Sequence, residues 1–312
     1  MSPVRSQPRQ VDVLGVRIEQ STSEPVLLLR EKESGGFLSI MVSPVEAVSL
    51  IHARNGVVPN YALADDSNYM LPHSLVCDVL GAADIQLLSA GIVRLRHGTF
   101  LAEINLSNGR TVSASPADSI SLSLLTGAPV FVAGKVFEQT GIIIPEKYSN
   151  STPNNTAGSD EQLRAAVPTH GPSDAPFPPL SAMRQMEVEG VRVETQTNKP
   201  VILLKEKQGS RHLPIWVSAS EAAAVASQGE RTAPRPPFTH DLFCHVLKAV
   251  GVQLLTVNIG KAGDRSYFCD LDLSNGIRVK TRAGDSLAFA LRTGARVFVT
   301  GEFLDDAGMT PA

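Results

Sequence analysis

"SPADSISLSLLTGAPVFV" at residues 115–132 returns as "RAGDSLAFALRTGARVFV" at 282–299. Each version runs from a polar start through an apolar stretch to Thr-Gly, then closes on Val-Phe-Val. That order describes a helix followed by a strand. The repetition spreads outward in both directions. "VLGVRIEQSTSEPVLLLREK" at 13–32 matches "VEGVRVETQTNKPVILLKEK" at 188–207, an offset of 175. "HSLVCDVL" at 73–80 matches "HDLFCHVL" at 240–247, and "LSNG" at 106–109 matches "LSNG" at 273–276, both at an offset of 167. The eight-residue change falls between Glu46 and His73, as expected of a surface loop.

Between the copies, "STPNNTAGSDEQLRAAVPTHGPSDAPFPP" at 151–179 is rich in Ser, Thr, Pro, Asn and Gly and lacks an apolar period. A flexible linker is expected there. The 312 residues therefore divide into a disordered tail over 1–10, one copy over 11–145, a linker over 146–184 and a second copy over 185–312. Units this long mark a domain duplication and not a solenoid of short stacked repeats.

Within copy one, strands are expected over residues 11–20, 26–30, 37–42, 85–96, 100–106, 110–114 and 130–133. Helices are expected from about residues 44 and 74, and again in the quoted stretch. Asn108-Gly109 joins two of the strands by a hairpin turn. Strands in groups with helices between them argue for an α+β domain, with mostly antiparallel or mixed sheets and about three helices per copy.

Composition narrows the function. At 43% hydrophobic and 19% charged the chain is globular, and a net charge of −3 excludes a strongly basic coat for nucleic acid. No apolar run approaches membrane-spanning length, and the N-terminus has no signal-peptide core. Cys77, Cys244 and Cys269 form no CxxC pair, so neither a disulfide framework nor a structural zinc site is expected. The expectation is a cytoplasmic protein with reduced thiols.

Three kinds of residue recur in register. Asp118 follows Ser115-Pro-Ala as in a capping box, facing the positive end of a helix dipole. Its counterpart Asp285 persists although Arg282 has replaced the capping Ser. Glu46 after Ser43 and Glu221 after Ser218 also read as capping boxes. His73 and His240 stand at a helix start, followed by Ser74 in one copy and by Asp241 in the other. Histidine carries protons near neutral pH and binds metals, or it packs over the helix start and bonds a carbonyl. Each position thus has a structural and a chemical reading.

Positive charge is distributed unequally. Arg278, Lys280 and Arg282 alternate on one expected strand and so share a face, with Arg292 and Arg296 beyond. Their counterparts in copy one are neutral. Copy one carries 8 basic and 13 acidic residues, net −5, and copy two 15 and 14, net +1. A cationic face suits phosphate, and it also suits solvent.

The set "GVR…PVLLLREK", "SPVEA" and "PADSISLSLLTGAPVFV", with "LPIWVSASEAAA", "THDLF" and "GDSLAFALRTGARVFV" in copy two, resembles the bifunctional nuclease domain family over about 11–141 and 186–308. The resemblance implies a compact α+β fold, a tendency to oligomerise and cleavage of DNA and RNA. It also implies His-Asp at the helix start, as at His240 and Asp241, so Ser74 departs from it. Glu221, His240, Asp241 and Asp285 would then form a cleavage site in copy two, with Glu46, His73 and Asp118 their counterparts. A divalent cation such as magnesium held by the carboxylates would activate water. Nucleic acid is the expected partner, and the two copies would pair within the chain, or with further chains. The alternative is a non-catalytic interaction module whose repeated acids are helix caps.

Overall fold

A computed structural model describes residues 7–19, 21–55, 72–141, 177–195, 197–227, 239–263 and 266–310. Most of the expected tail and linker lies outside the described residues.

In copy one the chain runs β1 (Arg9–Ile18), β2 (Pro25–Glu31), β3 (Phe37–Met41), α1 (Pro44–Asn55), α2 (Pro72–Ala82), β4 (Leu87–Arg96), β5 (Thr99–Leu106), β6 (Thr111–Ala114), α3 (Pro116–Thr126), β7 (Val130–Val132) and α4 (Gly134–Thr140). Copy two repeats it as β8 (Met183–Val193), β9 (Pro200–Glu206), β10 (His212–Trp216), α5 (Ala219–Ala226), α6 (Thr239–Val250), β11 (Leu254–Gly263), β12 (Ser266–Leu273), β13 (Arg278–Thr281), α7 (Ala283–Thr293), β14 (Arg296–Thr300) and α8 (Gly301–Ala307).

Each copy builds one seven-stranded mixed sheet. The orders are β3-β2-β1-β7-β4-β5-β6 and β10-β9-β8-β14-β11-β12-β13. Among the described strands only β4 with β7 and β11 with β14 pair in parallel, and a parallel neighbour needs a crossover. The quoted stretch supplies it, since α3 and α7 carry the chain back across the sheet. The Gly of the "GVR" motif has a local role in both copies. Gly15 (φ 109°) and Gly190 (φ 150°) sit where the register of the first hairpin slips by one residue, a bulge that needs a glycine backbone.

The helices α3 and α7 are buried along most of their length, residues 116–123 and 283–290. Gly127 and Gly294 end them in the left-handed conformation. Against α3 pack α1, β4 and β5; against α7 pack α5, β11 and β12. Leu27, Leu29, Leu38, Ile92, Ile104 and Ile120 fill copy one's core, and Ile202, Phe243 and Phe289 take part in copy two's. Phe243 and Phe289 pack with ring centroids 4.2 Å apart and planes tilted by 37°. Each such side chain contributes about 1.5–3 kcal/mol through burial.

One feature departs from the expected layout. A fourth helix, α4 or α8, follows the last strand of each copy. The chain also divides into two compact units whose edges do not follow the copies. Described residues 7–55, 77–141 and 239–242 form unit 1, and 72–76, 177–227, 243–263 and 266–310 form unit 2. Each unit holds one sheet, and each takes its short foreign segment from the start of α2 or α6.

Candidate functional site

The repeated Asp sits at the start of α3 and of α7. In copy one the Ser115 hydroxyl accepts a 3.0 Å hydrogen bond from the Asp118 backbone N–H, which caps the helix. The Asp118 carboxylate, only 3% exposed, accepts a 2.7 Å hydrogen bond from the hydroxyl of Thr239, the first residue of α6.

In copy two, Arg282 makes no side-chain cap. Its Nε donates instead to Asp285 Oδ2 at 2.8 Å, and lies 4.0 Å from Glu221 Oε1. Asp285 is 1% exposed and Glu221 8%. The acid retained after its capping Ser was lost is thus bound by the arginine that replaced the Ser.

Both Glu residues form the expected boxes. Glu46 Oε2 accepts from the Ser43 backbone N–H at 2.7 Å, and Glu221 Oε2 from the Ser218 N–H at 2.9 Å. The two environments differ, because Glu46 is half-buried and Glu221 buried. Gly284 makes the difference possible. A Cβ there would overlap Cβ and Cγ of Glu221, and the matching residue in copy one is Ala117.

Beside this group lies a residue for which spacing gave no signal. Cys269 is fully buried, and burial first, then the charges of Asp270, Glu221 and Asp285, raise its thiol well above the ordinary value against a hydrogen bond with Ser286. Such a thiol stays protonated. Across the neighbouring strands, Asp272 Oδ2 accepts from Thr256 Oγ1 at 2.9 Å and from Asn258 Nδ2 at 2.8 Å. Arg278 Nε donates to Asp272 Oδ1 at 2.6 Å. Burial pulls the Asp272 carboxyl upward, yet the bonds from Arg278, Thr256 and Asn258 together hold it below the ordinary range. The matching positions in copy one form a neutral network, with Asn105 bonded to Ser89 and Thr111. The signal for this charged network was the i, i+2 pair Asp270 and Asp272 on a strand, opposite Lys280 and Arg278 in the ladder.

The basic residues of copy two divide by partner. Arg278 serves Asp272 and lies 5.9 Å from the Phe177 ring centroid. Arg282 serves Asp285. Arg292 donates to the Ala224 carbonyl at 3.0 Å and to Ser227 Oγ at 3.3 Å, closing the end of α5. Lys280 is exposed, and Arg296 is exposed over Phe298. The strand face expected to meet phosphate is therefore largely engaged within the protein.

The four acids and histidines of copy two do not lie in one unit. Glu221 and Asp285 belong to unit 2, together with His73, which is 4% exposed. His240 and Asp241, both half-buried, belong to unit 1 with Asp118 and Glu46. Sequence order had grouped Glu221 and Asp285 with His240 and Asp241, and the boundary between the two units falls between these pairs. Among the described residues no three His, Cys, Asp or Glu side chains are arranged to hold a metal ion. These residues do not by themselves form a cage for magnesium.

Comparison with known proteins decides the lineage. The sequence pattern of the bifunctional nuclease domain matches residues 27–145 and again 202–312, together more than half of the chain. The chain belongs to the bifunctional nuclease domain family. Two uncharacterized proteins of Mycobacterium tuberculosis, from strains CDC 1551 / Oshkosh and ATCC 25618 / H37Rv, are each 40% identical to it over 127 residues. That alignment takes in 41% of this chain and 77% of each relative, about the length of one bifunctional nuclease copy. Among the described residues of this chain, no helix is long and apolar enough to cross a membrane.

Proposed function

We propose that the chain hydrolyses phosphodiester bonds of DNA or RNA in the cytoplasm. The observation that carries this reading is the match of the bifunctional nuclease domain to both copies, which span the repeated Glu, His and Asp positions. In the reaction a water oxygen attacks phosphorus, a P–O ester bond breaks, and the departing oxygen takes a proton. A carboxylate or imidazole at these helix starts removes the proton from water, and His240 is suited to carry one to the leaving group. Exposed Lys280 and Arg296 offer charge to the phosphates. A divalent cation would supply Lewis acidity, drawing some of its ligands from water and substrate phosphate.

Copy two contributes the complete His-Asp pair, so substitutions there are expected to reduce cleavage most. The test is cleavage of labelled single- and double-stranded DNA and RNA by the purified chain, with magnesium and with chelator. His240→Ala and Asp241→Asn are run beside it after their folding is checked. Loss of cleavage in both folded variants supports the reading. Equal cleavage by all three proteins overturns it.

One observation favours a second reading, a non-catalytic interaction module. Glu46 and Glu221 are both used in complete capping boxes. Absence of cleavage on every substrate, with measurable binding to a protein partner, would establish that module instead.

A further inference from the structure

The bond between Thr239 and Asp118 joins residues 121 positions apart, one from each copy. We infer that the two copies exchange the starts of α2 and α6, so that His240 and Asp241 act with Asp118 and Glu46 of the other copy, and Thr239 is the residue that positions Asp118. The catalytic half of this inference rests on the nuclease reading; the exchange itself does not.

Three observations converge on it. The grouping of residues 239–242 with copy one's sheet is matched by that of 72–76 with copy two's sheet, so the exchange is reciprocal. Thr239 donates to a carboxylate that is almost wholly buried at a helix start, a charge-assisted bond that fixes both partners. The third observation is a paired difference between the units. Thr239 corresponds to Pro72, which has no hydroxyl to give, and Ser115 corresponds to Arg282. Unit 1 combines Thr239 with Ser115, and unit 2 combines Pro72 with Arg282, which itself binds Asp285. Where the foreign segment brings a donor, the local residue is a neutral cap. Where it brings none, the local residue is an arginine.

The exchange also distributes the chemistry. Unit 1 receives Glu46, Asp118, His240 and Asp241, the full set of repeated residue types. Unit 2 receives Glu221, Asp285 and His73, but Ser74 in place of the Asp. The exchange therefore assigns cleavage to unit 1, with its acids from copy one and its His-Asp pair from copy two.

Hydrogen–deuterium exchange on the full chain tests the assembly without reference to activity. Thr239→Val removes the donor in copy two. The expected result is about tenfold faster exchange at amides 119–122 of α3, with amides 286–289 of α7 unchanged. A second variant, Asp118→Ala, is read at amides 242–244 against their counterparts 75–77, and only the former should quicken. Unchanged rates at 119–122 and 242–244, or a response at 286–289 or 75–77 instead, would overturn the exchange. If the chain cleaves nucleic acid, His240→Ala combined with Asp118→Asn should lose little beyond the worse single variant, whereas losses for His240→Ala with Asp285→Asn should multiply. Multiplying losses for the first pair would overturn the shared site. A chain that cleaves nothing refutes the nuclease reading, and the amide rates still decide the exchange.

Discussion

Gly284 lies so close to Glu221 that no Cβ fits between them, whereas copy one carries Ala117 at the matching position. The first turn of α7 and the capping box of α5 are thereby brought together, with Arg282 linking their two acids.

Gly284→Ala sets two effects against each other. Alanine in a helix is worth up to about 1 kcal/mol over glycine. The overlap, however, involves Cβ and Cγ of Glu221, atoms close to the α5 backbone, and overpacking costs about 1–3 kcal/mol. The variant should therefore unfold at lower urea. An unchanged or higher midpoint would show that Glu221 can withdraw without cost.

Arg282→Ala leaves two buried carboxylates without their guanidinium. Breaking such a pair costs about 3 kcal/mol, the low end of the range for buried pairs, since the Arg282 side chain is 25% exposed. Arg282→Ser should be milder by about 1 kcal/mol, because it restores the cap used by Ser115. Equal thermal shifts for the two variants would contradict this account of the helix start.

Asp272 predicts an acid limb. Its folded carboxyl titrates below the ordinary 3.8, so its bonds stabilise the protein above that pH and are lost as pH falls through the lower folded value. In Asp272→Asn the stability should be lower at neutral pH and should fall less steeply below about pH 4. Parallel stability curves for the two proteins would refute the assignment.

The thiols of half-buried Cys77 and buried Cys269 should resist modification. Burial, with some help from Asp78, pushes the Cys77 thiol up to about 12, and Cys269 is raised as well. Iodoacetamide at pH 8 should leave both unmodified in the native chain and label both in denaturant, as read by peptide mass spectrometry.

For nucleic-acid binding, the two exposed basic residues should separate from the engaged ones. Lys280→Ala and Arg296→Ala should weaken binding to any sequence and each reduce the salt dependence by about one unit of slope, with stability unchanged. Arg278→Ala and Arg292→Ala should lower the denaturation midpoint, because they release Asp272 and the end of α5. The opposite pattern in binding and unfolding assays would reverse the assignment.

Much of this was legible residue by residue. The seven strands of each copy and both capping boxes follow from spacings of two to four residues, whereas the left-handed caps at Gly127 and Gly294 emerged only with the structure. The last helices were not legible, because each has only seven residues and opens on a glycine, and α4 also lacks a side-chain cap at Ala133. Of the Asp272 network only the i, i+2 pair Asp270 and Asp272 was visible in the sequence. Thr256 and Asn258 reach Asp272 across a hairpin, 16 and 14 residues away in sequence, where no local period connects them.

By itself the sequence determined the duplication, the α+β class, the order of elements and the recurrence of Glu, His and Asp at helix starts, since each is written in short-range periodicity or in repetition. Only the tertiary structure decided which of those residues meet. Thr239 and Asp118 are 121 residues apart, and an offset between two copies is satisfied equally well whether each copy keeps its own helix start or takes the other's. That Thr239 meets Asp118 follows from where the start of α6 packs, a long-range contact that no short spacing encodes.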